Sequence, residues 1–171
     1  IVGLRACCRM IIGQLRRTYS RTPEGHGKEG AMAITESELF RGVSQRFITR
    51  IANASEEQEY KANSIIFKRG EAASYLYVLV SGEVHGEMGA EETLSVDKPG
   101  QVFGWSAMVA PYAYTGTARC AKDTRVIKIS RDLIEEVIKE HPAEGLAVLT
   151  NLIAIVAGRL QFAYNQLMPE S

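Results

Sequence analysis

Apolar residues recur at three- and four-residue spacing between positions 36 and 55 (Leu39, Phe40, Val43, Phe47, Ile48, Ile51), which predicts an amphipathic helix. Gly42 is its weak point and a place for it to split into two short turns. From residue 57 the period changes. Ala62-Asn63-Ser64 and Arg69-Gly70-Glu71 read as turns around a short strand, Ile65-Ile66-Phe67. Tyr75-Leu76-Tyr77-Val78-Leu79-Val80 is an aromatic and β-branched run, a strong strand. Ser81-Gly82-Glu83 turns it into Val84–Met88, and Gly89-Ala90-Glu91-Glu92 turns that into Thr93–Val96. Lys98-Pro99-Gly100 is a further turn, and strands follow near 114–121 and 124–130. Many short strands at regular spacing imply an antiparallel β-roll or barrel, mainly β with flanking helices.

The end of the chain returns to helical spacing. Ser130 and Asp132 are start signals for a helix with Leu133, Ile134, Val137 and Ile138 on one face; Pro142 interrupts it. A second helix, over 143–168, carries Leu146, Leu149, Ile153, Val156, Leu160, Ala163 and Leu167, alternating steps of three and four. This is a coiled-coil-type seam, and it predicts a homodimer through Leu146, Leu149, Ile153, Val156, Leu160 and Leu167. Leu152 and Ile155 form a second stripe that is free to cover the roll.

Charge divides the chain in two. Residues 1–33 hold six basic side chains against two acids, a balance of +4, which leaves −4 for the rest of a chain with zero formal net charge. An acidic main domain argues against direct nucleic-acid binding. Positions 1–33 read as a basic leader, disordered or vector-derived or the end of a longer region, and 34–171 as the folded domain. The leader's Arg-rich, acid-poor character also fits a targeting segment. No run reaches the about 18 apolar residues that span a bilayer, so no membrane span is expected. Adjacent Cys7 and Cys8 with a distant Cys120 give no disulfide framework and fit a reducing cytoplasm. His26, His85 and His141 are too scattered to share a metal, and Glu91-Glu92 and Glu135-Glu136 read as solvated charges. No nucleophile elbow or phosphate-binding lysine loop is present in the sequence, so no enzyme activity is expected.

The remaining chemistry lies in Phe103-Gly104-Trp105-Ser106-Ala107, followed by Tyr114-Thr115-Gly116-Thr117. Together with Ile65–Glu71, the Tyr75–Val84 hairpin and Pro99-Gly100-Gln101-Val102, this stretch resembles the phosphate-binding cassette of the cyclic-nucleotide-binding domains, the family of the bacterial catabolite activator. The resemblance covers roughly residues 38–168. It implies a β-roll (jelly roll) with an N-terminal helix and a long C-terminal helix that forms a dimer interface and closes over the ligand. It also implies that the cassette residues Phe103, Gly104, Trp105, Ser106, Ala107, Tyr114, Thr115, Gly116 and Thr117 bind the ligand. In the family a Glu follows Phe-Gly and takes the ribose hydroxyl, and an Arg further on takes the cyclic phosphate. Here Trp105 stands at the Glu position, and Tyr114 or Thr115 at the Arg position.

Losing a two-point Arg–phosphate contact costs about 3–6 kcal/mol, or roughly two to four orders of magnitude in affinity. The expectation is therefore a dimeric sensor domain without a helix-turn-helix. It would bind a small, nucleotide-like or other ligand, but not cyclic AMP tightly; no cofactor is called for. The alternative is a roll without a ligand, kept for dimerisation or docking. Gly104 allows a close backbone approach, Ser106 is placed to cap the turn it opens, and Trp105 either fills the pocket or stacks on a flat ligand. Arg119 is a distant candidate to replace the missing Arg.

Overall fold

The structure is a computed structural model that describes residues 27–88 and 91–167. Two four-stranded antiparallel sheets form a roll. One has the order β1 (Glu56–Tyr60), β8 (Thr124–Ser130), β3 (Tyr75–Ser81), β6 (Val102–Phe103). The other has the order β2 (Ile65–Phe67), β7 (Thr117–Cys120), β4 (Val84–Met88), β5 (Glu91–Val96). Helices α1 (Lys28–Thr35), α2 (Gln45–Ala54), α3 (Arg131–Glu140) and α4 (Pro142–Leu167) flank it.

Strand β3 shows why its sequence is a continuous apolar run. Successive side chains point to opposite faces. Leu76, Val78 and Val80 enter a core shared with the helices, while Tyr77 and Leu79 enter the core between the sheets. Strand β8 divides likewise: Ile127 and Ile129 join the helical core, Val126 the inter-sheet core.

The helix expected over 36–55 is two elements. The chain forms a 3-10 turn at Glu38–Phe40, passes Gly42 at φ +81°, and restarts as α2. Ser44 caps α2 by accepting from the Phe47 amide at 3.3 Å. The apolar positions are still those the spacing gives, with Leu39, Phe40, Phe47, Ile48 and Ile51 buried.

Two other boundaries differ. Strand β1 was not expected, because Glu-Glu-Gln-Glu-Tyr has no apolar alternation; it is an edge strand held by β8. The division at 33/34 cuts through α1, whose Ala33 and Ile34 are buried and whose Glu29 pairs with Arg125 of β8. Positions 1–26, with Cys7, Cys8 and His26, and the Gly89-Ala90 turn lie outside the described residues.

Helix α4 has two unlike faces. Val148, Leu152 and Ile155 are buried in the helical core, and Asn151 donates to the carbonyls of Leu39 and Arg41. Leu146, Leu149, Ile153 and Leu160 are exposed. Val156 departs from the expected seam: it is partly buried against the core and lines the cavity described below. The side chains of Ala163 and Leu167 lie outside the described set. By length and composition alone, the 21 residues Pro142–Phe162 are apolar enough to cross a membrane. The sequence reading missed this because Thr150, Asn151 and Arg159 break the apolar run without lowering its average enough.

Gly82, in the β3–β4 turn, has φ +100°, and a Cβ there would lie 2.5 Å from the Asp123 carbonyl oxygen. Gly82→Ala adds left-handed strain to a backbone overlap and is expected to cost about 2–5 kcal/mol. The urea midpoint should fall with an unchanged m value. An unchanged midpoint would show that the turn relaxes freely.

Candidate functional site

The cassette begins at the end of β6. Gly104 is left-handed (φ 75°, ψ 22°) and N-caps a 3-10 turn at Trp105–Met108. A Cβ on Gly104 would lie 3.0 Å from the Tyr77 ring and 3.2 Å from the Tyr75 carbonyl oxygen, so a side chain is excluded by both conformation and space. Ser106 is not the cap; it lies inside the turn, with no side-chain cap bond, and lines the cavity. Ala107 is fully buried in the inter-sheet core and does not line the cavity. In a 3-10 turn its neighbours diverge: Ser106 faces the opening while Ala107 anchors the turn.

The roll encloses a cavity of about 270 Å³. Phe103, Gly104, Trp105, Ser106, Tyr114, Thr115, Gly116 and Thr117 all line it, so the cassette residues other than Ala107 are brought together as the sequence implied. Trp105 packs against both cores and forms part of the wall, leaving the cavity open rather than filling it.

Tyr114 and Thr115 are no longer equivalent. The Tyr114 ring stacks on Phe67 at 3.7 Å between centroids, and its hydroxyl donates to the Tyr75 carbonyl at 2.8 Å. Phe67 also stacks on Phe103, which stacks on Tyr77, forming the aromatic floor of the roll. Thr115 is exposed at the cavity wall. Thr117 contributes to the wall while its hydroxyl accepts from the Arg69 amide at 3.1 Å. Arg119 does not replace the missing arginine. It alternates outward between buried Ala118 and Cys120 and pairs with Glu87 at 2.7 Å. Tyr112 shapes the loop, with its ring under Arg131 and no part in the cavity wall.

Burial pushes the phenols of Tyr77 and Tyr114 above the ordinary tyrosine value, and the Cys120 thiol above that of cysteine. The native state therefore holds these phenols protonated where the unfolded chain releases them. Their contribution is complete below about pH 10 and is lost as pH rises through the raised native values. The urea midpoint should fall above about pH 10, and Tyr114→Phe should reduce that fall. An equal fall in the variant would remove Tyr114 from the explanation.

Residues outside the cassette complete the wall. Phe67, Val84, Leu94 and Val96 come from β2, β4 and β5, and Val156, Arg159 and Leu160 come from α4. Most of this surface is apolar, and Arg159 is the one charged group among the described lining residues. Sequence reasoning missed it. The available signal was that Arg159 is the sole basic residue in Pro142–Leu167, but the heptad pattern directed attention to the interface. The Arg159 side chain is 22% exposed, and its guanidinium lies 3.4 Å from the Ser95 carbonyl oxygen and 4.0 Å from Glu38 Oε1.

Comparison with known proteins agrees with this geometry. The sequence model of the cyclic nucleotide-binding domain matches residues 57–141. The chain is similar to the solved structure of a putative cyclic nucleotide-binding protein from Geobacter metallireducens, at 30% identity and TM-score 0.68, covering 79% of this chain and 99% of that one. It is also similar to the catabolite activator protein of Thermus thermophilus, at 24% identity and TM-score 0.64, covering 77% of this chain and 62% of that one. Among curated proteins, it is 23% identical over 138 residues to a CRP-like cAMP-activated global transcriptional regulator of Mycobacterium tuberculosis. That match covers 78% of this chain and 60% of the relative, so the chain spans less than two thirds of the regulator's length.

Proposed function

The chain belongs to the cyclic nucleotide-binding domain family, and from that membership we propose that it is a ligand-sensing regulatory domain whose pocket takes a small molecule but does not hold cyclic AMP tightly. The observation that carries this reading is the cavity itself: it is open, about 270 Å³ in volume, walled by the cassette and the last helix, and without the family's charged pair. Shape and backbone frame favour a ligand. The side chains Trp105 and Thr115 disfavour the ordinary ribose and phosphate contacts.

The second part of the proposal concerns α4. Its inner stripe packs on the roll, and Leu160 both lines the cavity and belongs to the exposed face. We read the face of Leu146, Leu149, Ile153 and Leu160 as a homodimer interface, and Val156 as a pocket residue. Docking of the inner stripe favours this over a membrane-spanning role. Occupancy of the cavity then reaches the interface through a single helix. The buried free thiol of Cys120 fits a reducing cytoplasm.

Trp105 supplies the test, as the sole tryptophan and part of the cavity wall. Its fluorescence, followed across a metabolite library, should change saturably with at least one compound class. No saturable change with any compound would contradict a sensor and favour a docking module.

A further inference from the structure

We propose that the pocket takes a compact, largely apolar carboxylate whose anionic group is held by Arg159 on the last helix. This rests on the reading of the roll as a ligand sensor and names the chemical class of its ligand. It also reverses the polarity of the site: the ligand's charge lies at the helix rather than at the cassette.

Three observations converge. First, the wall is apolar and aromatic, from Val84, Leu94, Val96, Phe103 and Trp105, and the volume is at the small end of ligand pockets. Both features favour a compact body with little polarity. Second, the cassette end offers Ser106, Thr115 and Thr117 but no cation, while the helix end offers Arg159.

Third, the guanidinium is poorly committed. Its contact with Ser95 is long at 3.4 Å, its approach to Glu38 is 4.0 Å, and the buried Glu38 Oε1 has no hydrogen-bond partner. A guanidinium presents five donors in a planar fork that fits a carboxylate two-fold, at contacts of about 2.7–2.9 Å. Arg159 is also partly withdrawn from water, so an anion paired with it is screened less than on the surface. A ligand carboxylate competes with Glu38 for the same group. Occupancy therefore changes a contact between α4 and the 3-10 turn Glu38–Phe40, the segment whose Leu39 carbonyl is also tied to Asn151.

The test is a ¹⁵N NMR titration of the whole chain with 2-naphthoate and its neutral counterpart 2-naphthamide, following the Gly104 and Gly116 amides. We expect naphthoate to bind at least about tenfold more tightly, the lower end of what a charge-assisted contact contributes. Arg159→Gln should abolish that preference while leaving the amide's affinity within about twofold, Arg159→Lys should keep part of it, and Glu38→Gln should strengthen naphthoate binding. Equal affinities, or a preference that survives Arg159→Gln, would overturn the carboxylate assignment and leave the sensor reading standing. Failure of both probes to move the pocket amides would also overturn it. The Trp105 screen then decides separately whether the sensor reading falls too.

Discussion

Thr115→Arg is expected to raise the affinity for cyclic AMP by about two to four orders of magnitude, the inverse of what losing the Arg–phosphate contact costs. The backbone needed for that gain is already present. Gly104 holds the left-handed turn, the 3-10 turn follows it, and Thr115-Gly116-Thr117 runs along the same cavity wall. An arginine at Thr115 starts from an exposed position and reaches inward at little cost to folding. Tyr114→Arg is the contrast. It removes a ring stacked on Phe67 and forces a charge into an almost fully buried site, so it should destabilise the domain by about 3 kcal/mol or more without creating affinity. Calorimetry separates the two. If Thr115→Arg leaves binding unchanged, the cassette backbone is not a phosphate cradle.

Ile153→Asp is expected to convert a dimer to a monomer. Ile153 is 69% exposed at the middle of the outward face of α4, between Leu149 and Leu160. Burying an unpaired carboxylate in an apolar interface costs about 3–5 kcal/mol, which weakens association by at least about a hundredfold. The same substitution disturbs nothing in the isolated fold, so the thermal midpoint of the monomer should stay within the small range typical of surface changes. Leu160→Asp should also dissociate the dimer, but it alters the cavity wall, so Ile153 is the cleaner site. Sedimentation velocity reads the result. A wild-type monomer, or a variant that remains dimeric, would remove α4 as the interface.

The roll was legible where burial imposes a pattern. Strand β3 is apolar from Leu76 to Val80 because both of its faces are covered there. The turn into Val84–Met88 is marked by Gly82, yet β3 and β4 lie in different sheets and do not pair as the hairpin that the sequence suggests. Strand β1 was not legible, because an edge strand of Glu, Gln and Tyr is held by the ladder to β8 rather than by its own hydrophobicity. The helix over 36–55 was half legible. Its apolar face is correct, yet the capping serines Ser37 and Ser44 and Gly42 at positive φ divide it.

The site shows the same limit. Spacing placed the cassette on the cavity, but it did not decide between Tyr114 and Thr115. The two differ because the Tyr114 ring stacks across on β2, a contact between residues 47 positions apart. Ala107 is buried while its neighbours Trp105 and Ser106 line the wall, and a four-residue turn has no period long enough to show that division. Arg159 was visible as a lone cation in an apolar helix, yet only the docking of α4 on the roll brings it to the cavity.

On the function proposed above, a cyclic-nucleotide frame without its charged pair retains a pocket but loses ordinary cyclic-nucleotide recognition. Isothermal titration calorimetry of the unaltered chain with cyclic AMP tests it most directly. No binding tighter than about 1 µM is expected, because the two charge-assisted contacts are absent; a sub-micromolar dissociation constant would overturn this reading of the pocket.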